Sequence, residues 1–388
     1  MLKSIHLVLL LLSTNALLSK EVKIDFFGHD FHFEYTEEIS PRSSVQVEAD
    51  ALRRFYGAME RRPYQSLLSN LNLAKDRFAL NDWLYYQLVH KVSRRILSTK
   101  SEATQSLFTW FLLTKSGYDI RLTFRDQQVY LCAYIEEKVF EVPLIKQEQR
   151  TYVNLTEVGT QNTDRVPVYI LDYVPNPRGL PFSFSLQQKP MLEEDIVEKE
   201  IKFRFNDSLY QWNIAFDRTL VRLMESYPFI DETEYVLAPM SGALINTIIP
   251  KIKHATQSMS TVDQVRFITV FTRSAFRYKE DKAYFGKSKP MIPDELFHYP
   301  FSDCEDRSAI FYALVRATLS LPMVLVAYPD HMTVAVHIPN TKGEAIYYRG
   351  KPYLVCDPTG PNNSSAIGRI PKELKGVPYE IIHHFSAL

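Results

Sequence analysis

The sequence predicts an α+β protein made of two tandem copies of one fold, each a helix bundle packed on an antiparallel sheet. Each half opens with a pair of segments whose apolar residues alternate, Val22–Tyr35 and Ile201–Phe216, and alternation is typical of half-buried strands. Helix-then-strand patterns follow in the same order in both halves. Between them lies a proline-containing, turn-rich segment, residues 172–181, which we interpret as the connection.

The tandem interpretation depends on segments that match in one order along the chain. The paired segments are Lys20–Phe26 with Lys199–Phe205, Leu67–Leu71 with Ile248–Ile252, Ser106–Leu113 and Ile120–Phe124 with Ala309–Arg316 and Met323–Ala327, and Val166–Leu171 with Val377–Ile382. The separation is 179 residues at the first pair and 203 at the third. This increase indicates an insertion at Tyr284–Pro300, before the second core helix. An internal repeat of this kind determines the fold of the whole chain.

The expected boundaries follow from these matches. Residues 1–19 have a short basic start, an apolar core and small residues after it, which predicts a secretory signal peptide. The first copy spans 20–171, the linker 172–198 and the second copy 199–388. The apolar run is shorter than the ~20 residues that span a bilayer. We therefore expect an exported protein, periplasmic or secreted, with no transmembrane span after signal removal.

Composition narrows the classes of partner. The chain has 388 residues, 46% of them hydrophobic, and its 45 Lys and Arg balance 45 Asp and Glu. A net charge of zero without a basic stripe argues against nucleic acid or an anionic membrane as partner. Three cysteines are too few for a disulfide framework, although a disulfide between Cys304 and Cys356 stays open.

Four helices are predicted before the core helices. They cover Val45–Met59 and Asn81–Leu97 in the first copy, and Asp217–Ser226 and Val262–Phe276 in the second. In each copy a core helix and an antiparallel sheet follow.

The core helix of the second copy carries a cysteine at its start. Ser302 and Glu305 have the spacing of a capping box, which predicts that the helix begins at Ser302. Cys304 then lies in the first turn, where the helix N-terminus favours the reactive thiolate. Ala309–Val315 is apolar nearly all round, so we expect a buried helix that holds the thiol rigidly.

A histidine and an aspartate follow Cys304 at the ends of predicted strands. His331 opens one strand and Asp357 ends a later one. Taken singly, a core cysteine, a structural histidine and an Asp-Pro turn are the ordinary interpretations. Together they have the composition of a nucleophile, its base and the group that orients the base. The triad requires residues 352–357 to pair with the His331 strand and 344–348 to be displaced, which the sequence leaves open.

At these residues the chain resembles the transglutaminase-like superfamily. The matching pieces are Asp303–Phe311, Tyr328–His331 and Val355–Thr359, and they look closest to exported bacterial members of the Bacteroidetes type. The resemblance covers about residues 260–382 and implies a papain-like core with Cys304 as nucleophile, His331 as base and Asp357 as orienting group. Eukaryotic crosslinking members usually have an aromatic residue shortly after the histidine, whereas Met332 follows here. This departure weakens the expectation of crosslinking more than that of the triad.

The separation of 203 residues maps the triad onto the first copy. Ser101, Gln128 and Asn154 would take the places of the three catalytic residues. A glutamine cannot accept the nucleophile's proton at neutral pH. We therefore expect the first copy to be catalytically inactive, and to serve as a packing partner or substrate platform.

These features predict a thiol hydrolase that cleaves amide bonds of a peptide, glycopeptide or cell-wall substrate. A protein-glutamine transamidase, or a binding or scaffold protein with an unused triad, are the alternatives. The sequence contains no Gly-rich phosphate loop, and no metal-ligand spacing accompanies His383-His384, which we interpret as a solvated end. No cofactor or metal is expected. Tyr278 and Tyr284 are candidate oxyanion donors, and His337 is interpreted as structural.

Overall fold

The computed structural model describes residues 19–158, 167–360 and 366–386. The predicted signal peptide, apart from Ser19, lies outside the described residues. Within these ranges, none of the helices combines the length and the apolar character that crossing a bilayer requires.

The N-terminal half consists of a β-hairpin, four helices and a sheet. Its elements are β1 (Ser19–Phe26), β2 (His29–Thr36), α1 (Ala49–Glu60), α2 (Gln65–Arg77), α3 (Asp82–Ile96), α4 (Glu102–Lys115), β3 (Ile120–Arg125), β4 (Gln128–Ile135), β5 (Val139–Phe140), β6 (Leu144–Gln147), β7 (Arg150–Asn154) and β8 (Tyr169–Ile170).

The C-terminal half also begins with a β-hairpin, followed by helices and then a sheet, and it has short elements before its core helix. Its elements are β9 (Ile196–Phe205), β10 (Ser208–Asp217), α5 (Arg218–Glu225), β11 (Phe229–Ile230), α6 (Glu232–Leu237), α7 (Gly242–Thr256), α8 (Thr261–Ala275), β12 (Arg277–Tyr278), α9 (Asp281–Tyr284), α10 (Glu295–His298), β13 (Phe301–Ser302), α11 (Cys304–Leu319), β14 (Met323–Tyr328), β15 (His331–Val336), β16 (Ala345–Tyr348), β17 (Lys351–Val355) and β18 (Glu380–Phe385). The mixed α+β class is confirmed.

Both halves contain a five-stranded antiparallel sheet with the same strand order. The orders are β6-β7-β4-β3-β8 and β16-β17-β15-β14-β18. In the second sheet β17 pairs directly with β15, while β16 lies at the edge. The displacement of 344–348 that a triad requires is therefore confirmed. His383 and His384 lie in β18, which pairs with β14, so the prediction of a solvated end is wrong.

The alternating segments form the two predicted hairpins. In β1 the side chains of Val22, Ile24 and Phe26 are buried and those between them are exposed. The turn that joins β1 to β2 has positive φ at Phe27 and Gly28, 55° and 86°. Positive φ at both central residues suits the right-handed twist of hairpin strands. The equivalent hairpin, β9–β10, has the same two-residue turn length.

The core helices are buried nearly all round, as predicted. In α4 every side chain from Ala103 to Thr114 is buried, and α11 is buried over most of Asp306–Val315. Each contacts the central strands of its own sheet. The helices α2 and α7 were not among those predicted. The second contains Pro250, a residue that usually ends a helix because it lacks a backbone donor.

The segment 172–198 connects the halves but is not a free spacer. Phe182 and Phe184 are fully buried in the core of the N-terminal half. The backbone N–H of Ser183 donates to Asp82 Oδ2 at 2.9 Å. A Cβ on Gly179 would lie 2.3 Å from the backbone nitrogen of Asp119. This part of the chain is therefore part of the first core.

The strand registers of the two sheets correct the predicted match of Asn154 with Asp357. In the first sheet Cys132 pairs with Asn154. In the second, Ala335 pairs with Val355. Because Cys132 and Ala335 are 203 residues apart, Asn154 corresponds to Val355. The predicted match of Asn154 to Asp357 is wrong by two residues, because the chain between Cys132 and the turn before β7 is two residues longer than the chain between Ala335 and the turn before β17.

Of the other two predicted matches, the structure supports that of Gln128 with His331 but not that of Ser101 with Cys304. Gln128 opens β4 as His331 opens β15, and each pairs with the last residue of the preceding strand. Ser101 is the N-cap of α4, whereas the N-cap of α11 is Asp303. By its cap, Ser101 therefore corresponds to the residue before Cys304.

Candidate active site

Cys304 is the first residue of α11. The carboxylate of Asp306 accepts from the backbone N–H of Asp303 at 3.1 Å, which is one half of a capping box. The predicted box between Ser302 and Glu305 is therefore wrong by one residue, because Ser302 lies in β13 and pairs with β12. The expectation that Cys304 lies in the first turn is confirmed.

The Cys304 thiol is held as a neutral donor in this structure. Its Sγ donates to Glu305 Oε2 at 3.0 Å. Burial, and next the charge of Glu305, raise the pKa of Cys304 well above its usual range, and a hydrogen bond with the backbone of Met332 lowers it only partly. The expectation that the helix N-terminus favours thiolate is wrong for this arrangement. The contact with Met332 nevertheless places the thiol beside the residue that follows His331.

His331 and Asp357 form a hydrogen-bonded pair across neighbouring strands. His331 Nε2 lies 3.3 Å from Asp357 Oδ1. The histidine is partly exposed and the aspartate side chain is 2% exposed. An ionised aspartate accepts from Nε2–H, so it holds the ring in the tautomer that leaves Nδ1 free of a proton. A base in this tautomer can accept the proton of a nearby thiol.

Asp357 is kept ionised by the groups around it. Its Oδ1 accepts from Thr359 Oγ1 at 2.6 Å and from Thr333 Oγ1 at 3.2 Å. Arg273 lies 3.9 Å from the other carboxylate oxygen. Burial by itself would raise the pKa of Asp357, but the hydrogen bond and charge of His331, followed by Thr359 and Arg273, lower it to about 2.

Arg307 ties the start of α11 to the turn that carries Asp357. This buried side chain donates to the carbonyl of Thr359 at 3.0 Å and to that of Phe276 at 2.6 Å. Its guanidinium also lies 5.1 Å from the ring centre of Tyr278. The same residue therefore fixes the distance between the helix that carries the thiol and the turn that orients the histidine.

Sequence reasoning missed three groups that hold Asp357. Thr333 lies two residues after His331, so strand alternation places both on one face of the sheet and could have indicated it. Thr359 follows Asp357 by two residues and donates to it as in an Asx turn, a second local signal. Nothing in the sequence pointed to Arg273, which comes from α8.

The other candidates have distinct surroundings. Tyr278 is half-exposed; burial, and next the electrostatic interaction with Cys304, raise its pKa, so its hydroxyl stays protonated near the thiol. Tyr284 packs on the rings of Phe285 and Phe301. His337 Nδ1 bonds the carbonyl of Pro352 at 2.8 Å, as expected of a structural histidine.

The cysteines are not paired with one another. Cys356 is buried, and its thiol donates to the carbonyl of Leu354 at 3.3 Å. Cys132 is also a free, buried thiol, and burial raises its pKa to about 12. Cys304 is the partly exposed one, which leaves it open to thiol reagents.

Carboxylates crowd the start of α11. One oxygen each of Asp281, Asp303 and Glu305 lies within 4.8 Å of the others. Burial and then the charge of Asp303 raise the pKa of Asp281 to about 7, and burial and then the charge of Glu305 raise that of Asp303 to about 8. This group could hold a metal ion.

Comparison with known proteins adds no relative. No family model matches the chain, and no curated protein or solved structure is significantly similar to it.

Proposed function

We propose that the C-terminal half is a thiol hydrolase that cleaves amide bonds of a peptide, glycopeptide or cell-wall component. The observation that carries this proposal is the pairing of His331 with a buried, ionised Asp357, 3.3 Å apart, beside the helix N-terminus that bears Cys304. A carboxylate, an imidazole and a thiol that converge from a turn, a strand and a helix are the parts of a nucleophilic triad.

In the proposed reaction His331 Nδ1 accepts the thiol proton as Cys304 Sγ attacks the amide carbon. The tetrahedral oxyanion would be stabilised by the Cys304 backbone N–H and by the hydroxyl of Tyr278. The imidazolium then returns the proton to the departing amine, and a thioester remains on Cys304. Water, deprotonated by the same imidazole, hydrolyses the thioester and regenerates the thiol. If an amine reached the thioester first, the outcome would be transamidation.

The resemblance to the transglutaminase-like superfamily supports the same proposal. We infer further that the two halves are tandem copies of that fold and that the first copy is inactive. The shared strand order of the two sheets and the hairpin that opens each half support the duplication. The apolar start of the chain supports export to the periplasm or beyond.

A non-catalytic binding protein is the second candidate. The hydrogen bond from Cys304 to Glu305 favours it, because a thiol held by a carboxylate is a poor nucleophile. In active triads the nucleophile and base come within hydrogen-bond reach, although this contact often tightens only when substrate binds.

The rate at which Cys304 is alkylated distinguishes a thiol hydrolase from a non-catalytic binding protein. The purified chain is treated with iodoacetamide at neutral pH, and modification of each cysteine is followed by peptide mass spectrometry. If His331 is the base, His331→Ala slows alkylation of Cys304, whereas the control His337→Ala, at the residue that follows the same strand, does not. Equal rates in the wild type and His331→Ala would contradict a functioning triad.

A further inference from the structure

Three acidic side chains from two segments meet beside Cys304. Asp281 opens α9, shortly before the insertion Tyr284–Pro300, while Asp303 and Glu305 flank the cysteine. Their closest carboxylate oxygens all lie within 4.8 Å of one another. Asp281 and Asp303 are each 6% exposed, and Glu305 is partly exposed. Of the three, Glu305 is therefore the most open to solvent.

Each of these carboxylates uses one oxygen for the protein. Asp281 accepts on Oδ2 from the backbone N–H of Lys289. Asp303 accepts on Oδ2 from the backbone N–H of Asp281 at 3.2 Å. Glu305 accepts on Oε2 from the Cys304 thiol. These bonds fix the three groups and leave a second oxygen on each.

The second oxygen of Asp303 is an independent sign of a missing ligand. Asp303 Oδ1 is buried and has no hydrogen-bond partner among the described residues. A buried, unsatisfied carboxylate oxygen is costly and rare in folded proteins. By contrast Asp306, the next acid along α11, has both oxygens occupied by the backbone N–H groups of Met291 and Asp303, so it is excluded as a ligand.

The basic groups nearby are engaged elsewhere. The ammonium of Lys289 pairs with Glu295, which is fully buried. The guanidinium of Arg307 donates to Ser302 Oγ and to two backbone carbonyls. Within the described ranges, neither reaches the three carboxylates as a salt-bridge partner. Like charges this close cannot all remain ionised without a cation or shared protons.

We propose that Asp281, Asp303 and Glu305 bind one hard divalent cation, Mg²⁺ or Ca²⁺, beside the thiol of Cys304. Carboxylate oxygens are the ligands that these ions prefer, at about 2.0–2.6 Å. Oxygens that surround one such ion lie up to about 4–5 Å apart, which the spacing of the cluster allows. Water would complete the coordination from the open side at Glu305.

The cation would also act on the nucleophile. Glu305 Oε2 is the acceptor of the Cys304 thiol, and a cation bound to the other oxygen of this carboxylate offsets its negative charge and so weakens its hold on the thiol. The thiol is then available to His331. This coupling rests on the proposed function, whereas the binding site itself does not.

Titration calorimetry of the full chain, freed of metal by a chelator, tests the site. We expect one Ca²⁺ or Mg²⁺ to bind per chain. We expect Asp281→Asn and Asp303→Asn each to weaken binding by at least about tenfold, since affinity follows the number of charged ligands. The matched control is Glu280→Gln, which changes an exposed carboxylate one residue from Asp281. Two variants are used so that a folding defect in one, visible by circular dichroism, leaves the other informative.

Absence of binding by either ion at millimolar concentration would overturn the site. So would unchanged affinity in both folded variants. The coupling has its own readout, the alkylation rate of Cys304 with and without the saturating ion. An ion-dependent rate in the wild type, lost in Asp281→Asn, supports the coupling. An ion that binds but leaves the rate unchanged overturns the coupling alone.

Discussion

Replacing Asp357 by asparagine should reduce both activity and stability. The exchange keeps the shape of the side chain and removes its charge. Without the carboxylate, His331 is no longer held with its proton on Nε2. In triad enzymes this exchange lowers kcat by roughly 10⁴-fold, so hydrolysis of an activated ester should fall by about 10³- to 10⁴-fold.

The stability effect follows from the pKa of Asp357. It is lowered from 3.8 to about 2 in the folded chain, and the side chain is 2% exposed, so solvent screens it little. At 1.36 kcal/mol for each unit of pKa, the ionised form stabilises the fold by about 2.5 kcal/mol at pH 7. Because the folded pKa is the lower one, this contribution is lost as pH falls below about 4, and about half remains at pH 3.

The assay is urea unfolding of the wild type and Asp357→Asn, followed by tryptophan fluorescence between pH 7 and pH 3. Asp330→Asn, which changes an exposed carboxylate next to His331, is the matched control and should have no effect at any pH. A difference between the wild type and Asp357→Asn that does not shrink at low pH would refute the electrostatic account. Activity near that of the wild type would mean that Asp357 is only a turn residue.

Three other changes have equally definite outcomes. Glu305→Gln should lower the pKa of Cys304, because it removes a charge that raises it; the pH profile of alkylation should move to lower pH, and an unchanged profile would leave burial as the whole cause. Cys304→Ser should abolish turnover while the urea midpoint stays within error of the wild type. Turnover at the wild-type rate in that variant would show that Cys304 is not the nucleophile. Phe184→Ala should cost about 3–5 kcal/mol of unfolding free energy, whereas Met191→Ala, at a side chain 65% exposed, should change it by less than about 0.5 kcal/mol; equal effects would mean that segment 172–198 does not pack as described.

The sheet was the most predictable part of the fold. Alternation and apolar runs marked β14 and β15, and the chemistry of a triad required β17 to lie against β15. The structure has that pairing, between Ala335 and Val355. The sequence left this strand order open and gave it only as a condition of the triad, and the structure meets that condition.

Local signals located the start of α11 only to within two residues. Ser302–Glu305 and Asp303–Asp306 both have the spacing of a capping box. The choice between them is made by the parallel pairing of Tyr278 with Ser302, a contact between residues 24 positions apart in the chain. No local rule contains that contact.

The protonation state of the Cys304 thiol also could not be predicted from the sequence. A helix N-terminus favours a thiolate when its neighbours are neutral or basic. Here the side chain of Glu305 turns back to accept the thiol, and Asp281, which opens α9, adds to the negative charge nearby. Both depend on how the segment that precedes the core helix folds over the start of that helix, which is why the cluster of carboxylates was not expected.

The account depends most directly on an acyl group passing through Cys304. The decisive measurement is mass spectrometry of the full chain quenched during turnover of p-nitrophenyl acetate, with the acetylated residue located by peptide mapping. We predict an acetyl group on Cys304 that forms with the first burst of p-nitrophenol, disappears as substrate is exhausted, and is slow to form in His331→Ala. An acetyl group that appears on other residues, or that forms on Cys304 equally fast without His331, would contradict the proposed triad.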